Sequence, residues 1–596
     1  MTNLMLAALA ATFSFGEVKV DCPQPGDWKV DLVRETAADG AEIAKIVLDA
    51  PAPAKPPVFT VAFALPQVDI DSRWSVNDGN FGLPPNWGGT LFSEFARNMP
   101  LYVFLDGGDT SRLALAASEA SRHVRFRGGV REEGSLVDCA FTYFDAVEAP
   151  LDHYETSIRI DARPKYFGTA VAESARWIEQ AGGYRPCPTP EAALEPLYST
   201  WYNFHQNVFA RDIEEELALA ARLGMKTVIL DDGWQTEDNQ RGYAYCGDWQ
   251  VSSRRFPDMR AHVRKAHALG MKYMVWYSVP FVGLKSRNFE RFKGKYLIAE
   301  DRGLGAAVLD PRFPEVRRFL VDTYVAALKD WDIDGFKLDF IDSFRIEGGV
   351  DPAARDNYAG RDVKSVPQAV DLLLREIRAA LVAVKPDVLI EFRQAYVGPG
   401  VRQTGNMLRV GDCPGNARRN RFAIANLRLA SGATAVHADM LEWNFRETPE
   451  QSARFVLNSI FGVVQYSAML RQAPKDHLAM IAHWIKFSQE HRETLLKGEF
   501  RPHHPGLQYP LIEAESAAER IIGVYDDGRL VDCGPNDKPV YILNATGADR
   551  LAVRLAGPVK ATAYDTYGQA VGRFAGERAG LEEIKCPSGG YVKIEK

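Results

Sequence analysis

A chain of 596 residues exceeds one ordinary domain, so two to four are expected, each with sequence enough for its own core. Its 46% hydrophobic and 25% charged residues are the composition of a soluble globular protein, which excludes disordered and fibrous classes. A formal charge of -7, with no Lys/Arg run flanked by aromatics, argues against nucleic acid as a partner, and no apolar stretch approaches the length of a membrane span.

The segment Met1 to Phe15 is apolar and alanine-rich like the core of a signal peptide, but no Lys or Arg precedes the apolar run; it reads as a first strand, with export left open. The seven cysteines are scattered, odd in number and form no C-x-x-C pair, which argues against a disulfide scaffold and a zinc knuckle. A reducing, cytoplasmic setting is therefore favoured, with periplasmic or secreted locations still open. Up to about residue 190, alternating runs such as Val58-Phe59-Thr60-Val61-Ala62-Phe63 and Tyr154-Glu155-Thr156-Ser157-Ile158-Arg159-Ile160 are separated by Gly, Pro and Asp turns. Residues 1–190 thus read as an all-β sandwich. The turn-rich loop from Asp78 to Gly89 carries Trp87 and is either a surface loop or a cover for a neighbouring cleft.

After a proline-rich linker, Pro186-Cys187-Pro188-Thr189-Pro190, strand and helix patterns alternate. Strands are expected to begin near Leu197, Thr227, Tyr273, Gly335, Val388, Leu408, Ala435 and Gln465. Helical patterns occupy 211–223, 258–269, 314–329, 366–384, 416–430, 449–462 and 477–495. Eight strands, each with its helix, give residues 191–500 the period of a (β/α)8 TIM barrel. The fifth unit is the weakest, since little helix fits between Gln394 and Met407. Residues 501–596 return to short strands and read as a small C-terminal β-sandwich, making the whole a multidomain α/β and all-β chain.

Chemistry concentrates where the barrel strands end. In Gly335-Phe336-Lys337-Leu338-Asp339, residues two apart share a face, so Lys337 and Asp339 project together and the lysine favours an ionised carboxylate. Taken alone, K-x-D is more often a structural ion pair. A second strand-like run, Met407 to Pro414, also ends in charge with Arg409 and Asp412. Two carboxylates on different strands of one barrel suit retaining glycoside hydrolysis, Asp339 as nucleophile and Asp412, less well compensated and kept protonated, as acid/base. The second strand ends in Asp231-Asp232-Gly233-Trp234, where two repelling carboxylates are better explained by ligand hydroxyls than by packing, although a helix cap plus a solvated Asp would also do. Trp201, Trp276, Arg393, His437 and Asp439 close other strands; singly each has a core reading, together they suggest a cleft that binds substrate. His437 and Asp439 raise a metal alternative, but no H-x-H or H-E-x-x-H spacing occurs and Lys337 would compete with a divalent cation. Neither metal nor cofactor is expected.

These stretches resemble glycoside hydrolase clan D, family 36, the α-galactosidases and raffinose-synthase-like enzymes, over nearly the whole chain. The resemblance implies an N-terminal β-supersandwich, a catalytic barrel and a C-terminal sandwich. It implies Asp339 as nucleophile, Asp412 as acid/base, Arg409 near the sugar's 2-hydroxyl, Asp231 and Asp232 on the 4- and 6-hydroxyls, and Trp201 as an aromatic wall. Where many members carry a Cys-Ser-Gly-Gly-like loop after the fifth strand, this chain has Glu391-Phe392-Arg393-Gln394-Ala395-Tyr396. That departure leaves galactose, N-acetylgalactosamine and an arabinopyranoside open. The expected activity is a retaining exo-α-galactosidase acting on an oligosaccharide or glycoside, with transglycosylation and a non-catalytic carbohydrate-binding barrel as the rivals. A homo-oligomer is compatible with the sequence.

Overall fold

In the computed structural model, residues 9–595 are described except Phe15, Asp78, Asn80, Phe81, Gln394 and Asn536. The strand expected over Met1 to Phe15 is thus described only as Leu9–Phe13, which pairs antiparallel with Gly16–Asp21. Part of the loop from Asp78 to Gly89 also lies outside the described residues, while Trp87 stands 75% exposed.

Period-two patterning in the first third builds two antiparallel sheets. In Phe59–Pro66, residues Phe59, Val61, Phe63 and Leu65 turn inward and their neighbours do not. The exception to alternation is Leu101–Leu105, buried at every position. Tyr102 and Phe104 enter the sandwich core, whereas Leu101, Val103 and Leu105 join the larger core shared with the barrel. A strand buried on both faces has no reason to alternate.

Eight parallel strands form the centre: Leu197–Ser199, Thr227–Leu230, Lys272–Ser278, Gly335–Asp339, Leu389–Arg393, Met407–Arg409, Ala435–His437 and Gln465–Tyr466. Their ladder runs continuously from the seventh strand back to the first and on to the eighth. Parallel bridging of His437 to Val463 brings the two ends together. Leu197, Ile229, Met274, Leu389, Met407 and Ala435 form an apolar layer inside the barrel, stoppered by the 3-10 turn Glu191–Leu194 through Ala193. One inward position higher on the strands, the residues become Lys337, Glu391, Arg409, His437 and Gln465.

Helices follow where local chemistry starts and stops them. Thr448 and Gln451 cap Pro449–Ser459 reciprocally, with Pro at its first turn, and Gly224, at φ +104°, ends Ala210–Leu223. The weak fifth unit is a single turn, Pro399–Arg402. Sequence patterning did not suggest the small antiparallel sheet of Phe281–Gly283, Tyr296–Asp301 and Ala306–Leu309, which lies between the third strand and the helix Pro314–Trp331. Its strands are only three to six residues long and do not sustain a period.

Strands resume at Glu499 and form a seven-stranded and a three-stranded sheet around Val524, Ile542, Val553 and Val592. The three sections meet at one buried point. The Trp74 indole N–H donates to Asn426 Oδ1 at 3.0 Å and to Tyr509 Oη at 2.9 Å, and Tyr509 Oη donates to the same Asn426 oxygen at 2.6 Å. Among the described residues, no helix is long and apolar enough to cross a membrane.

Candidate active site

Asp339 is the last residue of the fourth barrel strand and is buried. Four donors converge on its carboxylate. Oδ1 accepts from Arg393 Nε at 2.7 Å, the Phe340 amide at 2.8 Å and the Tyr396 hydroxyl at 3.1 Å; Oδ2 accepts from the Trp276 indole at 3.2 Å. Burial by itself would raise the pKa of this group, but the charges of Arg393 and Lys337, with the hydrogen bonds, hold it far below the usual carboxylate range. Phe340 takes a left-handed conformation, φ 64°, and its amide also meets Tyr396 Oη at 2.9 Å. A positive φ at a bulky residue beside a fixed carboxylate is the local strain expected where surrounding packing over-determines a site.

The expected pairing of Lys337 with Asp339 needs correction. Lys337 Nζ forms its ion pair with Asp231 Oδ2 at 2.6 Å, and the cation in direct contact with Asp339 is Arg393. The reason is height: Asp231 follows the end of the second strand, at the level Lys337 reaches inside the barrel, while Asp339 sits one inward step higher. Asp232 turns away from its neighbour, accepting from Gln206 Nε2 and Gln235 Nε2, each at 2.7 Å. Burial pushes its pKa up to about 6. Gly233 makes this turn possible: at φ +117°, a Cβ would lie 2.6 Å from the Gln206 backbone.

Arg409 organises the other side. Its Nη2 donates to Asp412 Oδ1 at 2.8 Å, and its Nη1 to Asp439 Oδ1 at 2.6 Å and to the Val410 carbonyl at 2.9 Å. Asp439 in turn accepts from Tyr202 Oη and from the Cys413 amide, both at 2.6 Å. Asp439 therefore secures the loop that carries Asp412. Asp412 keeps 48% of its side chain exposed. Desolvation alone would raise its pKa, but the Arg409 charge, aided by Lys337 and Arg393, lowers it below the ordinary value. A protonated Asp412 was expected, whereas the unliganded cleft favours the ionised form: compensation comes from Arg409 three residues earlier.

Two expected substrate contacts lie elsewhere. Trp234 is fully buried, its indole donating to the Trp276 carbonyl at 3.0 Å and its ring packed against Trp249, Tyr277 and Trp331. His437 is also fully buried; its Nε2 meets the Ala193 carbonyl of the barrel stopper at 2.8 Å and its Nδ1 lies 3.2 Å from Gln465 Nε2. Register explains it, since His437 pairs with Arg409 inside the barrel rather than rising above the strand ends. Trp276, 2% exposed, orients Asp339 with its N–H and presents little face to a ligand. Trp201 remains part-exposed, with Arg241 5.5 Å above its ring. Tyr243 was not anticipated: it stacks on Trp276 at 6.2 Å and meets Phe340 edge-on at 5.0 Å. Tyr396 was likewise missed; a tyrosine just past a strand end is a usable signal, but a single letter cannot say where its hydroxyl reaches.

As for a metal, among the described residues only Asp39, Asp161 and Glu173 in the N-terminal section bring three ligand atoms together. Arg159, Arg163 and Lys165 already bind them. In the cleft, Asp231, Asp339 and Asp412 each face a protein cation instead.

Residues 195–413, spanning the first barrel strand to the Asp412 loop, match the melibiase family model. In its barrel, the chain is similar to the melibiase family. The match stops just after Asp412, so both carboxylates fall within the melibiase region. α-Galactosidase 1 of Pediococcus pentosaceus is 27% identical over 149 residues, 24% of this chain and 19% of that protein. A probable α-galactosidase G of Emericella nidulans is 29% identical over 159 residues, 24% and 22% of the two chains. The aligned stretches thus span only about a fifth of these relatives. Solved structures extend the likeness in fold beyond the melibiase barrel: an α-galactosidase from Lactobacillus brevis superposes with TM-score 0.62 at 15% identity, covering 99% of this chain and 84% of that one. A variant of the family-36 enzyme AgaA from Geobacillus stearothermophilus, in complex with raffinose, gives 0.62 at 13% identity, covering 99% and 88%. The N-terminal sandwich, TIM barrel and C-terminal sheets are therefore the architecture of these neighbours too.

Proposed function

We propose that this protein is a retaining, exo-acting α-galactosidase of the melibiase kind. The observation that carries the reading is Asp339: an ionised carboxylate, pinned by four donors at the C-terminal end of a barrel strand, with a second, accessible carboxylate, Asp412, tied to the neighbouring cation Arg409. Asp339 attacks the anomeric carbon as the bond to the leaving oxygen breaks and Asp412 gives that oxygen a proton. In the second step Asp412 takes a proton from water, the water oxygen bonds the anomeric carbon, and Asp339 is released with net retention.

Arg409 makes Asp412 a stronger acid than an ordinary carboxylic acid, so only a minor fraction of the free enzyme carries the proton at neutral pH. Glycosylation of Asp339 then removes a nearby negative charge and favours the ionised Asp412 required as base. Asp231 and Asp232 form the hydroxyl-reading side, and Trp201 and Tyr243 the aromatic side, of the sugar site. Support for the substrate comes from relatives named α-galactosidases and from structural neighbours bound to raffinose, stachyose and 1-deoxygalactonojirimycin.

A second reading, a related sugar at the same site, draws on Arg393 in place of the small residues of the family loop. A galactosaminidase of Flavonifractor plautii is also among the relatives, 23% identical over 187 residues. Transfer to a sugar hydroxyl instead of water would use the same residues. The deciding experiment screens aryl α-glycosides of galactose, N-acetylgalactosamine and glucose and the aryl β-L-arabinopyranoside, with the anomer first released read by NMR. The α-galactoside should dominate and release α-galactose. Release of the β-anomer would remove the retaining mechanism, and preference for another glycoside would remove the galactose assignment.

A further inference from the structure

Away from the strand ends, a cavity of about 500 Å³ lies between the helix Lys475–Glu490 on the barrel exterior and the C-terminal sheet. Its walls are unusually aromatic: Tyr541, Tyr564, Tyr567 and Tyr591 from the sheet side face His483 and His491 on or just after the helix. Tyr564 and Tyr591 stack at 4.6 Å with their planes 9° from parallel, and the His483 ring continues the stack on Tyr591 at 5.9 Å and 6°. Among the described residues, His483 Nε2 is buried here without a hydrogen-bond partner. Charge on the rim is balanced, Lys486 with Glu490 at 3.4 Å and Lys593 with Glu595 at 2.7 Å.

Packing alone does not account for this combination. An interface closed for stability would fill the space, because voids forfeit dispersion contacts, and would satisfy its buried polar atoms. Instead the volume lies in the range of small-molecule sites, the lining offers ring edges and faces, and the unpartnered His483 Nε2 and the tyrosine hydroxyls stand beside them. A ligand suited to it has apolar C–H faces for the rings, many hydroxyls for the tyrosines and charged rim, and no net charge. We propose that this cavity is a second, non-catalytic binding site for a neutral mono- or disaccharide, holding one sugar on the outside of the barrel while another occupies the catalytic cleft. The inference stands on the lining of the cavity and does not require the reaction assigned to Asp339 and Asp412.

The test is saturation-transfer NMR of D-galactose on the full-length protein, with and without excess 1-deoxygalactonojirimycin to block the barrel site. A residual signal should survive the inhibitor in the native protein and be lost in Ala482→Arg, which fills the cavity without removing a ring, and in Tyr567→Ala. Turnover of aryl α-galactoside should be unchanged in both variants. No residual signal with the inhibitor present, or an equal residual signal in correctly folded Ala482→Arg, would overturn the second site. If the inhibitor changes nothing while the variants abolish the signal, the cavity stands and the galactose assignment of the barrel falls.

Discussion

The two carboxylates at the centre of the barrel are held in opposite ways. Asp339 is buried and receives four hydrogen bonds from the ends of the third and fifth strands and its own turn, whereas Asp412 is half exposed on a loop with one arginine contact. A nucleophile gains from being fixed and ionised before substrate arrives, since reorganisation is then already complete. A residue that must lose and regain a proton in every cycle needs access to water and a pKa that its neighbours can move. The rigid side and the open side of the cleft therefore match two different duties.

The strongest way to break this comparison is to remove each group in turn. Asp339→Ala should lower turnover by about 10^4-fold or more, and azide should restore it with inverted product because the anion fills the vacated space. Asp412→Ala should cost about 10^2 to 10^4-fold on substrates with poor leaving groups, but far less on activated aryl glycosides, and azide should give a retained product. Product anomers identified by NMR decide the matter: azide adducts of the same configuration from both variants would show that the duties are misassigned.

Smaller changes sharpen it. Tyr396→Phe removes one charge-assisted hydrogen bond from Asp339, worth about 1.5–3 kcal/mol, so kcat should fall roughly 10- to 100-fold with KM little changed. A change confined to KM would show that Tyr396 binds sugar instead. On the open side, the lowered pKa of Asp412 places the alkaline limb of kcat/KM for natural-type glycosides on the acid side of neutrality, because activity is lost as pH rises through that pKa. Arg409→Lys, which weakens the bidentate hold on Asp412 and Asp439, should move that limb upward. A pH profile unchanged by the substitution would separate Arg409 from the proton donor.

The smallest effect concerns stability. Asp232 has a folded pKa near 6 against an ordinary 3.8, so the folded state binds the extra proton between these values and stability falls as pH rises from about 4 to 6. Asp232→Asn should remove that loss and stabilise the fold at pH 7 by about 2–3 kcal/mol at most, seen as a higher melting temperature, while reducing galactoside turnover and its preference over glucoside. Parallel melting curves at pH 4.5 and 7 test the first half, and paired aryl glycosides the second.

Much of this was legible in the letters. The eight barrel strands start within one residue of their sequence-based positions, because short apolar runs alternating with amphipathic helices leave few other folds. The charged strand ends, Asp339 and Asp412 above all, could be found for the same reason. What the letters could not supply was height along the barrel axis. Period-two alternation says which side of the sheet a residue faces, but Lys337 and Asp339 share a side and meet different partners, and His437 faces inward yet stops at the Ala193 stopper. Trp234 follows a strand end as closely as Asp232, but its ring turns under the loop into the core.

The knot of Trp74, Asn426 and Tyr509 bears on how such a chain can be divided. Asn426 lies on the helix that follows the Asp412 loop, so a barrel expressed without either flanking section would leave a buried amide oxygen without its donors, next to exposed core. Excision would loosen the very helix that follows the Asp412 loop. Gene fragments encoding the barrel alone should consequently yield aggregation-prone protein with poor resistance to protease, and the flanking sandwiches should travel with the barrel as one inherited block.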